Sequence, residues 1–161
     1  MIKLYVFYFI FGLYMLFNSY TIWFFSAMFS DFKGGGVSVI TYIAFFSSMI
    51  LFSVCPGLSL YRIKLALLTG LVSLITIFPF GIHWLIYRIQ NEAPITKGAF
   101  NQIVLLATLV YAIGLLYSIF LLVNNKRQLN TLKLNKRWRI CITMLPVFLL
   151  VVFVVLGYVN P

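Results

Sequence analysis

Acidic side chains are almost missing from this chain. Asp31 and Glu92 are the only two in 161 residues, and His83 is the only histidine. Charged residues of both signs make up 9% of the sequence, where soluble domains carry about 25%. Reactions that need a carboxylate pair or a Ser/His or Cys/His dyad have too few groups here to be assembled, so the sequence argues against an enzyme. One cluster is conceivable, Asp31, His83 and Glu92 brought together by neighbouring loops, but no spacing rule connects the three. Cysteine is scarce too. Cys55 and Cys141 have no CxxC motif and no Cys/His spacing for zinc, so no metal or other cofactor is expected. Period-two alternation is absent, which speaks against a β-barrel.

What fills the chain is apolar. Hydrophobic residues account for 63%, more than a water-soluble fold covers with the polar residues left over. Lipid removes the difficulty, because apolar side chains can then face outward while a helix satisfies its own backbone. A hydrocarbon core about 30 Å thick takes about 20 residues of helix. Five stretches reach that length: 4–29, 37–60, 65–86, 102–123 and 140–159. The sequence therefore predicts an all-α integral membrane protein, a single domain over residues 1–161 built as a bundle of five transmembrane helices. Four spans result if Pro79 and Gly81 end the third early and leave 83–88 in the interface. The apolar stretch after Lys3 is too long for a signal-peptide core and lacks a small-residue cleavage pattern at Ser26-Ala27, so it reads as a retained first span.

The net charge of +10 does not read as nucleic-acid binding, because the basic residues sit at the ends of the apolar runs rather than along one groove. With the N-terminus inside, Lys3, Arg62, Lys64, Lys126, Arg127, Lys133, Lys136, Arg137 and Arg139 all fall on the cytoplasmic side. Lys33, Arg88, Lys97 and both acids fall outside. The positive-inside rule selects that arrangement, N-in and C-out. Trp23, Trp84 and Trp138 lie near the expected boundaries, where amphipathic rings prefer to sit. Short loops and the strong bias suggest a multi-pass protein of the bacterial cytoplasmic (inner) membrane.

Two groups of residues stand out. The segment 124–139 has six basic residues, Lys126, Arg127, Lys133, Lys136, Arg137 and Arg139, and no acid. It suits anionic lipid headgroups or an acidic face of a cytoplasmic protein. Inside the spans, Asn18 and Ser19 in the first and Thr41, Ser47 and Ser48 in the second are polar groups that seek partners across helix interfaces or line a path. Ala66-x-x-x-Gly70 and Gly114-x-x-x-Ser118 match the small-residue packing pattern. The spans hold no acidic or basic residue away from their ends, which argues against a proton- or sodium-coupled carrier.

The expected role is a non-catalytic membrane subunit. It forms homo-oligomers in the membrane and senses or anchors for a soluble cytoplasmic partner, as small subunits of envelope-stress and antiphage defence systems do. The alternative is a homo-oligomeric pore or lipid-handling protein, for which the polar residues of the first two spans are the motive.

Overall fold

A computed structural model describes residues 2–31, 39–90, 99–124 and 135–159. Among these residues there is no strand. Six helices occur: α1 (Ile2–Asp31), α2 (Val39–Ser53), α3 (Cys55–Tyr61), α4 (Ile63–Gln90), α5 (Ala99–Asn124) and α6 (Lys136–Val159). They form five rods long and apolar enough to cross a membrane, because α2 and α3 together make one of them, Val39–Tyr61.

The break in that rod has a covalent cause. Pro56 has no N–H to give the Phe52 carbonyl, so one rung of the helix ladder is missing. The rungs on either side survive, Val54 N–H to the Ile50 carbonyl and Leu58 N–H to the Val54 carbonyl, both 3.0 Å. The expected 37–60 span is thus two helical pieces joined through Val54, whose own backbone stays in the helical region (φ −98°, ψ −45°). Arg62 alone makes the next turn, with an extended backbone (φ −138°, ψ 87°). Its N–H reaches the Leu58 carbonyl at 2.7 Å and its own carbonyl accepts from Ala66 at 3.0 Å.

The third rod corrects one expectation. Pro79 and Gly81 do not end it: α4 runs unbroken for 28 residues with Pro79 inside it. A proline inside a helix costs one rung, and the remaining rungs carry the rod on. The residues 83–88 are the last turns of α4, whose stretch Ile63–His83 is long and apolar enough to cross a membrane.

Helix α1 lies at the centre. It packs along α2 most extensively and also meets α3 and α5. Tyr8 reaches Gly70 of α4, and Tyr5 and Tyr20 reach Ile142 and Phe153 of α6. These neighbours account for most of the aromatic residues of α1, while a stripe of Ile2, Val6, Ile10, Leu13, Phe17 and Phe24 stays exposed. The principal core joins Tyr8, Met15, Leu51, Cys55, Leu67, Leu74, Ile77, Ala107 and Tyr111 from α1 through α5. In contrast, Pro146 is the only buried residue among those of α6 whose burial is described, and α6 leans on α3 and α2 at the edge.

Candidate functional site

Two pairs of polar residues in the rods are directed at one another. Ser19 of α1 and Ser48 of α2 are 2.6 Å apart and buried. Ser48 gives its one proton to the Ala44 carbonyl at 2.9 Å, so the proton between the two serines must come from Ser19. A second chain has the same logic. Thr76 of α4 donates to the Ser73 carbonyl at 2.8 Å, so its 2.6 Å contact with Ser47 uses the Ser47 proton. Adjacent residues on α2 therefore face different partners, Ser48 toward α1 and Ser47 toward α4. Thr41 is buried near the start of α2. These hydroxyls tie three helices together at mid-span, and none of the four in the two chains keeps a free proton with which to line a path.

Several hydroxyls turn back on their own helix instead. Thr108 donates to the Val104 carbonyl, Ser59 to Pro56, Ser53 to Met49 and Thr143 to Arg139. This local bonding hides a hydroxyl inside a span without a cross-helix partner. Four buried side-chain atoms lack any hydrogen-bond partner among the described residues: the Tyr8 and Tyr111 hydroxyls, the Ser118 hydroxyl and the Asn18 amide nitrogen. Tyr8 and Ser118 are neighbours, as are Tyr111 and Ser19, but neither pair is directly hydrogen-bonded.

Two close contacts gave no clear sign in the sequence. Gly12 is where the backbones of α1 and α2 approach, since a Cβ there would stand 2.6 Å from the Phe52 Cα. It is the only glycine of α1 and belongs to no small-residue pair. The other is the Tyr5 hydroxyl, which donates to the Ile142 carbonyl at 2.8 Å. Pro146 is four residues further on, where its absent N–H would have closed that helix bond. The Tyr5 hydroxyl supplies the missing donor from another helix. Beside it, the Thr143 methyl group fills the space over Gly57. The small-residue pattern in α4 and α5 serves a related purpose: Gly70 and Gly114 receive the rings of Tyr8 and Phe11 rather than a second backbone.

The basic residues converge on one end. Successive helices alternate in direction: Phe9 meets Phe52, Ser19 meets Ser48 and Trp23 meets Phe45 between α1 and α2. Lys3 at the start of α1, Arg62 and Lys64 at the α3–α4 turn, and Lys136, Arg137 and Arg139 at the start of α6 thus share the same end. No acid lies at that end among the described residues. Lys136 and Arg137 are exposed, while Arg139 is half-buried with its guanidinium carbon 5.5 Å from the centre of the Tyr61 ring. Lys126, Arg127 and Lys133 lie outside the described residues, as does Glu92.

His83 is exposed on α4, and no group of His, Cys, Asp and Glu fit to hold a metal occurs among the described residues. Cys55 is buried and Cys141 exposed, both as free thiols. Comparison with protein-family models, curated proteins and solved structures finds no match to this chain.

Proposed function

We propose that this chain is a non-catalytic subunit of a bacterial inner-membrane complex. Five helices cross the bilayer with the N-terminus in the cytoplasm, copies associate in the plane, and the basic end anchors or reads a soluble cytoplasmic protein. The observation that carries this reading is the charge segregation along the bundle. Six cations of the described residues gather at one end without an acid, and three more follow in 126–133. Orientation alone needs fewer charges than that. An unpaired basic surface recruits an acidic one, and it also favours the leaflet with anionic lipid. Helix α6, with most of its length unburied by its own chain, offers the surface on which copies meet. Envelope-stress or antiphage defence is the setting that small subunits of this class suit, an argument by analogy of class.

The pore alternative draws less support. Its motive is the polar set Asn18, Ser19, Thr41, Ser47 and Ser48; of these Ser19, Ser47 and Ser48 are engaged across helix interfaces within one chain, while the buried Asn18 amide nitrogen has no partner among the described residues.

The test begins with fractionation and reporter fusions, which place residues 125–134 inside and 91–98 outside if the reading holds. Gentle detergent extraction and mass determination then give the size and content of the complex. Neutralising Lys126, Arg127, Lys133 and Arg137 to glutamine should release a co-purifying cytoplasmic protein while insertion persists. A homo-oligomer with no partner would overturn the subunit role, and conductance in a planar bilayer would then decide for the pore.

A further inference from the structure

The basic end also carries a pocket. It has a volume of about 440 Å³ and lies between Tyr61, the last residue of α3, and the first turns of α6, where Lys136, Arg139 and Ile140 line it. Positions i, i+3 and i+4 of a helix share one face, so these three α6 side chains point together toward α3. The Tyr61 ring lies beneath the Arg139 guanidinium, an arrangement that steadies the planar group on the aromatic face and leaves its N–H edge available. No carboxylate at this end of the described chain neutralises either cation. At the start of α6 the Arg139 N–H donates to the Asn135 carbonyl at 3.0 Å. The N–H groups of Lys136, Arg137 and Trp138, in the first turn of α6, have no helical partner among the described residues and add to the positive end of the helix dipole. Ile140 adds apolar character to the same face.

We propose that this pocket binds a phosphate group, presented by an anionic phospholipid headgroup at the membrane boundary. The lining matches that chemistry in two parts. An ammonium, a guanidinium and helix N–H groups meet the phosphate oxygens, as an anion requires. Ile140 and the apolar side of α6 beyond it meet the glycerol and upper acyl carbons. Tyr61 is the residue that makes Arg139 a fixed donor rather than a free surface charge. The site rests on the reading that the chain crosses a membrane, and it is independent of the cytoplasmic protein partner, whose test leaves Lys136 and Arg139 intact.

The experiment uses the full chain extracted in a neutral detergent and titrated with phosphatidylglycerol or phosphatidylcholine, with bound lipid counted by native mass spectrometry. Phosphatidylglycerol should bind in preference to phosphatidylcholine. Lys136→Gln and Arg139→Gln should each weaken that binding about fivefold, and about 25-fold together. Arg139→Lys keeps the charge without the stacked plane and should lose less than Arg139→Gln. Tyr61→Phe keeps the ring and should bind as the parent does. A control pair, Lys3→Gln with Arg62→Gln, removes two cations of the same end outside the pocket and should change binding less than twofold. Inorganic phosphate at millimolar concentration distinguishes the sources: failure to displace the lipid assigns the site to the headgroup, and displacement assigns it to free phosphate. Equal losses from the control pair and the pocket pair would overturn the site and leave only a diffuse surface charge. A chain that is not found in the membrane fraction would instead overturn the reading beneath it.

Discussion

Replacing Tyr5 by phenylalanine removes one oxygen from the point where α6 is held to the bundle. The Tyr5 hydroxyl donates to the Ile142 carbonyl at 2.8 Å, and Pro146 denies that carbonyl its helical donor. In the variant the carbonyl stays in an apolar setting with nothing to accept from. Hydrogen bonds between membrane helices are worth about 0.6 kcal/mol on average and about 1.7 kcal/mol at most. An acceptor with no fallback belongs near the top of that range, so Tyr5→Phe should cost about 1.5 kcal/mol, roughly tenfold in the ratio of docked to released α6. The decisive comparison is a double-mutant cycle with Pro146→Ala. Alanine restores an N–H at residue 146, the Ile142 carbonyl regains its helical partner, and the penalty of Tyr5→Phe should fall to less than half. Titration with sodium dodecyl sulfate in mixed micelles, followed by tryptophan fluorescence, reads all four variants. The same penalty in both backgrounds would refute the account, because the hydroxyl would then be stabilising something other than the proline-orphaned carbonyl.

The same unfolding titration checks three further expectations. Tyr8→Phe should leave stability within about 0.5 kcal/mol or raise it, since the buried Tyr8 hydroxyl has no partner to lose and its removal relieves an unsatisfied group. Gly12→Ala should cost about 1–3 kcal/mol, because the new Cβ meets backbone atoms of Leu51 and Phe52 at 2.6 to 2.9 Å and only a separation of α1 from α2 makes room. Ser19→Ala and Ser48→Ala should each cost about 0.6 kcal/mol, and the pair together about as much as either alone, because both remove the same interhelical bond. Full additivity would mean the 2.6 Å contact contributes nothing of its own.

The five rods were readable from the sequence because span length is set by bilayer thickness and hydropathy, both properties of composition. Which residues meet was much less readable. A membrane helix is apolar all round, so no stripe shows which face is inside, and the aromatic ring of α1 gave no direction. Gly12 could not be singled out, since a close backbone approach needs the neighbouring helix to be in place before the absence of a side chain has meaning. Pro56, Pro79 and Pro146 look alike in sequence, yet they act differently: one interrupts the second rod near Val54, one is absorbed by a continuous α4, and one leaves the Ile142 carbonyl to Tyr5. The polar residues Ser19, Ser47 and Ser48 were visible as groups needing partners, while Thr76 and Ser118 carried no mark that set them apart. In the basic segment the charges were plain, but the role of Tyr61 depends on the one-residue turn that ends α3 beside the start of α6.

That turn at Arg62 also bears on how the chain is made. On the proposed reading of a membrane protein, the one residue between α3 and α4 ties their entry into the bilayer together. On that reading the second and third rods enter as a hairpin whose core-facing residues are already adjacent. Helix α6 arrives last and finds its seat ready-made in Gly57, Tyr5 and Tyr20. It joins the bundle much as a bound peptide joins a receptor. A ribosome that stalls before residue 135 would leave a nascent bundle complete in its core but open on one flank. Supplying the final helix as a separate polypeptide should close it.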